Sequence, residues 1–487
     1  MSGTSGGVPE APAARPVPGP GARAALVVSA AVLFVLAVWA GPAAAATSAH
    51  QKAYRIGVEA YTYGLPLLQT DATFRTMTSV NVSSGAYGPV NQFNNVSGLN
   101  TSGSTTVVAP GAGSLSSIAW LDLRAGPQVL TVPEVVDHFY VLALIDPYTE
   151  DLVNLGSVHD TRPGDYVICA PGQYKTPIPA GTSRLRVDAT RIWIIGSTQV
   201  KGPDDIAAVN RIQAGYRLTP LSEYGTGWRP SPPAVPQTTV KRYTVPNGLA
   251  FFDRLGTLLE EFPPPGRDRA ALRRFAQAGI GPGLQPSEEG LSAAVLRGLE
   301  DAAAVGPQQV AADQQQELAD SFSSHDGYLV GGFGRYGTDY RLRAVISQIG
   351  LGAMTSEQAV FAMTWVDRDG HALNGSNAYV LHLPPSLPVD EGWSLTVYSL
   401  QGSMIANSLG RFAINDSSAL TRNADGSADI YLQSTEPTST AQAANWLPTG
   451  AGQGFEVTWR LLAPVPGRIP GILDGSGWRP PAIRPAP

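Results

Sequence analysis

Two segments near the C-terminus alternate strictly between apolar and polar side chains, and this alternation restricts the fold more than any other feature of the chain. In Phe455–Leu461 the residues Phe455, Val457, Trp459 and Leu461 alternate with Glu456, Thr458 and Arg460. In Trp393–Tyr398 the residues Trp393, Leu395 and Val397 alternate with Ser394, Thr396 and Tyr398. A period of two is the signature of a strand buried on one face, so this region must hold an antiparallel sheet packed on one side. Composition extends the reading to all 487 residues: Gly 53 and Pro 41 favour many turns and short strands over long helices. A hydrophobic content of 43% supports packed cores and excludes wholesale disorder. At about 100–200 residues per domain the length implies two or three domains. The net charge of -6 leaves no basic surplus to neutralise phosphates, which argues against a nucleic-acid partner.

The N-terminal half carries short apolar runs bounded by Pro, Gly or Asp: Val129–Val132, His138–Ile145, Asp165–Ala170, Arg184–Val187 and Arg191–Gly196. These read as strands. Ala53, Ile56, Ala60 and Tyr63 lie at helical spacing, and Gly64 with Pro66 is expected to end that helix. Asn81–Ser117 reads as a long surface loop system. Gly202-Pro203-Asp204-Asp205 opens a helix whose apolar face is Ile206, Val209, Ile212 and Tyr216. Gly225–Pro246 is Pro-rich without apolar periodicity and reads as a linker. Leu249–Leu259, Arg267–Ala278 and Glu288–Ala303 follow as connector helices, with one more expected over Leu342–Met354. Asp367-Arg368-Asp369-Gly370 and Asn423-Ala424-Asp425-Gly426 are turn signals. The expected fold is mainly β (α+β): two β-sandwich or jelly-roll-like domains joined by a helical connector. Residues 1–46 form a signal peptide or N-terminal anchor, 47–224 a β-rich domain, 225–335 the linker and connector, and 336–487 a β-sandwich.

The N-terminus has the pattern of an export signal. Arg23 precedes the apolar stretch Ala24–Ala40, Gly41-Pro42 breaks it, and Ala44-Ala45-Ala46 supplies small residues for cleavage. The stretch lies between a signal core and a membrane span in length, so an uncleaved membrane anchor remains the alternative. Cys169 is the single cysteine, which excludes an intramolecular disulfide. Its apolar setting, Tyr166–Ala170, with nothing electropositive beside it in sequence, marks a core thiol rather than a nucleophile.

Several motifs resemble a known pair of families. Ala119-Trp120-Leu121-Asp122-Leu123, Asp146-Pro147-Tyr148-Thr149 and Gly202-Pro203-Asp204-Asp205 resemble domain of unknown function 1254. Arg335-Tyr336-Gly337-Thr338-Asp339-Tyr340, Trp393–Tyr398, Leu409-Gly410-Arg411-Phe412 and Asn445-Trp446-Leu447-Pro448 resemble its usual partner, domain of unknown function 1214. The resemblance implies two mainly β domains joined by helices, often exported, and brings no settled activity. The chain also departs from the pattern. Where the family reads Pro-Asn-x-Asp-Thr-Leu-Tyr, this chain reads Pro110-Gly111-Ala112-Gly113-Ser114-Leu115-Ser116, without the amide, the carboxylate and the phenol. The usual His after Asn-Gln-Phe is Asn95.

No Gly-x-Ser-x-Gly motif follows the leader, where Gly3–Gly7 is the one instance, and neither His-Glu-x-x-His, Cys-x-x-Cys nor a phosphate-binding loop occurs. The six histidines never sit at ligand spacing, so no metal or other cofactor is implied. Three groups of candidate ligand residues remain. Asp146 and Tyr148, with Glu150 and Asp151, could bind a cation or act as acid and base, or simply cap a turn. Tyr336 and Asp339 could line a site, or Asp339 could pair with Arg335 or Arg343 as a structural latch. Asn407, Arg411, Asn445 and Trp446 suit a polar, carboxylate-bearing or sugar-like ligand, or serve as turn amides, an interdomain salt bridge and a core indole. The readings in play are an exported binder of a small polar or carbohydrate-like ligand between two β domains, an envelope hydrolase or lyase using a carboxylate and a Tyr, and a structural or interaction protein of the envelope. Nothing in the sequence fixes an oligomeric state. Export predicts that the secreted protein, sequenced from its N-terminus, starts near Thr47; a membrane-retained full-length chain would select the anchor.

Overall fold

The structure, a computed structural model, describes residues 22–104, 109–331 and 333–486, with side chains from residue 46 onward. Its helices are α1 (Ala22–Met77), α2 (Ile206–Gly215), α3 (Leu249–Glu261), α4 (Arg269–Phe275), α5 (Ala293–Ser324) and α6 (Tyr340–Ile349), besides short turns of helix near the C-terminus. Among the described residues no helix is long and apolar enough to cross a membrane. The side chains of the apolar stretch Ala24–Ala40, and of Ala44 and Ala45 at the expected cleavage site, lie outside them.

Two β-sandwiches flank the helices, as the sequence predicts. In the N-terminal one, a five-stranded sheet runs Asn94–Asn95, Ser114–Asp122, Arg191–Gln199, Tyr140–Ile145, Asp151–Gly156. Its four-stranded partner runs Ser183–Arg186, Gly164–Cys169, Gln128–Val132, Arg217–Pro220. They share a core that includes Leu121, Leu130, Leu142, Ile168 and Ile194. In the C-terminal sandwich, the five strands Leu329–Gly331, Ala359–Thr364, Phe455–Pro464, Val389–Ser399 and Ala413–Asn415 face Trp446–Pro448, Ala428–Gln433, Tyr379–Leu383 and Ile483–Pro485. Phe455, Val457, Trp459 and Leu461 are all fully buried in that core, as their alternation requires.

Three expectations need correction. The segment expected to be loop up to Ser117 contains the start of a nine-residue strand, Ser114–Asp122. Its serines hide it from pattern reading, yet Ser117 is buried opposite Gly196, which has no Cβ to crowd it. Helix α1 does not stop at Gly64 and Pro66 but continues to Met77. Gly64 serves close packing there, because a Cβ at 64 would lie 2.8 Å from Leu255 of α3. Helix α5 likewise passes through Gly306-Pro307 and ends twenty-one residues beyond Ala303, the expected end, because both turns around the proline bury residues, Ala303 and Val310 among them. Cys169 is fully buried as expected, though the neighbouring parallel strand brings Arg184 Nη1 within 3.3 Å of its Sγ.

The linker is not free chain. Asn81 brackets it, donating from Nδ2 to the Val235 carbonyl (2.9 Å) and accepting the Gln237 N–H (2.6 Å). Lys241 and Tyr243 N–H groups bond to Ser79 and Thr76 hydroxyls on and beyond α1.

Helices α1 and α5 pack through small residues. A Cβ at Gly298 would meet the His50 carbonyl at 2.5 Å, and one at Gly306 would enter the Tyr61 ring at 2.4 Å. Gly306→Val is therefore expected to cost about 1–3 kcal/mol through overpacking, read as a lowered thermal midpoint. Gly467→Ala, with open space around it, should leave the midpoint unchanged.

Candidate functional site

The turn Asp146–Asp151 ends strand Tyr140–Ile145, and its three carboxylates face inward. Asp146 Oδ1 accepts the N–H groups of Tyr148 (2.8 Å) and Glu150 (2.9 Å), the capped turn that an Asp before Pro favours. Glu150 accepts the backbone N–H groups of Tyr336 (3.2 Å) and Gly337 (3.1 Å) and pairs with Arg267 at 3.1 Å. Asp151 accepts from Thr355 N–H and Asn154 Nδ2, while its own N–H donates to the Gly334 carbonyl. Tyr148 donates its hydroxyl to the Phe262 carbonyl at 2.7 Å. One turn thus ties the N-terminal sandwich to the connector and to the approach to the C-terminal sandwich.

Behind it lies a buried polar centre that the sequence does not announce. Arg343 is wholly enclosed, with Tyr63, Tyr148 and Tyr340 ring centroids at 5.0, 5.5 and 5.2 Å. Its Nη2 donates to the Tyr63 carbonyl, while Nε and Nη1 have no partner among the described residues. Asp268, also fully buried, accepts the hydroxyls of Tyr63 (2.9 Å) and Tyr340 (2.7 Å). The expected latch from Asp339 to Arg335 or Arg343 does not form. Asp339 instead caps α6, its Oδ1 accepting the Leu342 N–H at 2.9 Å.

Asp146 and Tyr148 also line a 560 Å³ cavity with Tyr174, Asp188 and Arg267. The C-terminal candidates sit elsewhere and are bound to one another or to nearby backbone. Asn407 brackets the Arg411 backbone, and Arg411 Nη1 donates to the carbonyls of Ala443, Ala444 and Trp446, closing the short helix Thr440–Ala444. Asn445 bonds the backbone of Thr421 and Asp429, and Trp446 donates to the Gln433 carbonyl. Among the described residues no hydrogen bond or ion pair joins this quartet to the Asp146 region. Asp367, Asp369 and His371 approach one another closely enough to share an ion, but Asp367 Oδ1 already accepts the N–H groups of the other two and closes a turn.

The two sandwiches meet around a second cavity of 250 Å³. The N-terminal domain contributes Ser197 and Gln199, and the C-terminal domain contributes Gln358, Asp416 and Arg460. Gln199 Nε2 reaches Asp416 Oδ1 at 3.5 Å across the interface. Gly392 permits this approach: a Cβ there would stand 3.0 Å from Gln199 Nε2 and 3.1 Å from Asp416 Oδ1. Burial pushes the Asp416 carboxyl above its ordinary pKa. Gln358 is fully buried; its Nε2 meets His159 at 2.9 Å, and its Oε1 has no partner. The segment that departs from the family pattern lines this cavity through Pro110, Gly111, Gly113, Ser114 and Ser116. Its side chains are small but its backbone is held: Tyr398 donates to the Pro110 carbonyl (2.6 Å), Arg460 to Ala109 (2.6 Å), Asn100 to Gly111 and Val200 N–H to Gly113. Asn95, where the family has His, lines a separate cleft with Tyr216 and Trp228.

Burial, with Glu150 adding its charge, pushes the Asp146 carboxyl up to about 7, against the backbone N–H bonds and Arg343. The folded state thus holds the proton more tightly than the unfolded chain, whose Asp titrates near 3.8. That stabilisation is complete below about pH 4 and is lost as pH rises to about 7, by on the order of 4 kcal/mol at most. Asp146→Asn keeps an acceptor for both N–H groups and buries no charge. Chemical unfolding at about pH 4 and about pH 8 should show the variant gaining on wild type as pH rises; parallel curves would contradict the buried acid.

Comparison with known proteins places these elements. Residues 90–220 match the family described as protein of unknown function DUF1254, and residues 358–466 match protein of unknown function DUF1214. No curated protein matches the chain. The crystal structure of the VPA0106 protein from Vibrio parahaemolyticus is similar with a TM-score of 0.66 at 19% identity, covering 89% of this chain and 100% of that one, a likeness of fold. An uncharacterized Burkholderia cenocepacia protein aligns over 91% of this chain and 95% of its own, at 12% identity and a TM-score of 0.42, too distant to argue from. The chain therefore carries a DUF1254 domain followed by a DUF1214 domain, the pair its motifs resemble.

Proposed function

We propose that this is an exported protein that binds a small polar or carbohydrate-like ligand in the cavity between its two β domains. The observation that carries the reading is the pooling of polar groups from both domains around one space: Gln199 from one, Asp416, Arg460 and Gln358, whose side-chain Oε1 has no partner, from the other. Amides, a carboxyl and a guanidinium beside apolar walls such as Phe139 and Trp393 are the lining of a site that orients a small hydroxylated molecule. An unsatisfied buried acceptor costs about 1–3 kcal/mol, and a ligand donor would recover it if the Gln358 side chain, closed to water as the cavity stands, turned toward it. Export is supported by the apolar N-terminal stretch and its small-residue site.

A panel of neutral monosaccharides and their N-acetyl derivatives, screened by thermal shift, tests the reading. At least one should raise the midpoint of wild type, and Asp416→Ala should abolish that rise. The paired change Gly111→Asn with Gly113→Asp restores the family's polar groups where a Cβ at 113 has ordinary contact with Asn415 Nδ2 at 3.4 Å. It should tighten or widen ligand choice. A panel with no effect on any of the three proteins would defeat the proposal.

A second reading, an envelope hydrolase or lyase, is favoured by Asp146. This carboxyl, pushed up to about 7, lines the 560 Å³ cavity with its Oδ1 occupied by backbone donors and its Oδ2 unbonded, the disposition of a group that can give up a proton. Turnover of chromogenic glycosides or esters by wild type, absent in folded Asp146→Asn, would select this reading. A purely structural protein would respond to neither experiment.

A further inference from the structure

The strand Arg191–Gln199 presents Ile195, Ser197 and Gln199 to the interdomain cavity. Trp193, on the same face, lines a different cleft of 350 Å³. Ile195 of the cavity stands about 7 Å along the strand from Trp193, but the two spaces share no lining residue and can be tested separately. The cleft is built from three parts. One face of α1 supplies Gln69, Thr73 and Thr76, spaced as neighbours along one helix side. The strand supplies Trp193, stacked on Trp120 with centroids 4.6 Å apart and planes 12° apart. The bonded strap of the linker lies across them and supplies Arg242 and Tyr243, and Tyr87 completes the aromatic wall.

Two features of this cleft point to a ligand. Its eleven lining residues include one charged side chain, Arg242, and no acid. Arg242 is exposed and, among the described residues, makes no ion pair or hydrogen bond, unlike Arg75, Arg191 and Arg254, which converge on Asp71 nearby on α1. A free guanidinium fork beside aromatic faces is suited to a carboxylate on a ring. Independently, two polar atoms of lining residues are shielded from water without partners, Gln69 Oε1 and Trp193 Nε1. One accepts and the other donates, and both are closed to water, so a seated hydroxyl would reach them only after the Gln69 or Trp193 side chain shifts.

We propose that this cleft is a second ligand site, for a small ring bearing a carboxylate: the ring against Tyr87, Tyr243 and Trp193, the carboxylate on Arg242. A sugar acid and an aromatic acid share this chemistry, and the assay separates them. The full chain is titrated with D-glucuronate and with benzoate, and with D-glucose and benzyl alcohol as uncharged counterparts, by calorimetry and tryptophan fluorescence. At least one acid should saturate and bind at least tenfold more tightly than its uncharged counterpart. Glucuronate binding alone identifies a saccharide site, benzoate alone an aromatic-acid site, and both a site that reads the ring and charge. Arg242→Ala should bring the acid to the affinity of its neutral counterpart without moving the melting temperature, since the side chain is exposed and unbonded. Arg242→Lys should restore part of it. Asp416→Ala, which tests the interdomain cavity, should leave this binding unchanged. The inference is overturned if neither acid saturates, or if Arg242→Ala binds the acid as wild type does.

Discussion

The buried carboxylate of Glu150 is the interaction around which the molecule is organised. A charge taken out of water is tolerated only when donors replace the lost hydration. Here two backbone N–H groups from Tyr336 and Gly337 and the Arg267 guanidinium supply them, each from outside the N-terminal sandwich. The sandwich therefore does not satisfy this carboxylate by itself; its donors come from the connector and from the segment leading to the second sandwich. Asp151 crosses the same boundary, its Oδ2 accepting the Thr355 N–H and its own N–H donating to the Gly334 carbonyl. Beside these, Arg343 sits among three tyrosine rings with two unbonded nitrogens, and attraction to ring faces meets only part of its desolvation cost. Polar groups and not apolar surface alone determine how the three parts are oriented.

Much of the fold was legible because strands and turns obey local rules. Phe455–Leu461 alternates, and its apolar members are all buried. What local rules could not reveal was context. Gly306-Pro307 looks like a helix end, but tight packing on Tyr61 carries α5 through it. Ser114–Ser117 looks like loop, yet its pairing to Arg191–Gln199 makes it strand. The sequence also suggests that the polar face of Phe455–Leu461 meets water. Thr458 is buried, and Arg460 turns instead toward the other domain, clamping the Ala109 carbonyl.

The candidate site was legible in its parts but not in its assembly. Asp146, Tyr148, Tyr336 and Asp339 belong to one region and Asn407, Arg411, Asn445 and Trp446 to another, where every one of the latter four side chains is bonded to nearby backbone. Short polar residues favour turns for the same reason they favour ligands, so pattern alone cannot separate the two uses. The interdomain lining was missed because Gln199, Gln358, Asp416 and Arg460 come from four distant stretches and belong to no motif. The only local sign was an absence, the missing polar side chains at Gly111, Gly113 and Ser116, and these positions do line that cavity.

The grip on that stripped segment has a consequence for inheritance. Its shape is set by carbonyls at Ala109, Pro110, Gly111 and Gly113, held by Arg460, Tyr398, Asn100 and Val200, and not by its own side chains. Backbone held in this way is indifferent to what projects from it, so the wall of the cavity can change chemistry while its frame stays constant. Two of the four clamps belong to the other domain, however. A recombination that joined this N-terminal domain to a foreign partner would forfeit Arg460 and Tyr398 together, and with them half of the grip that shapes the shared wall.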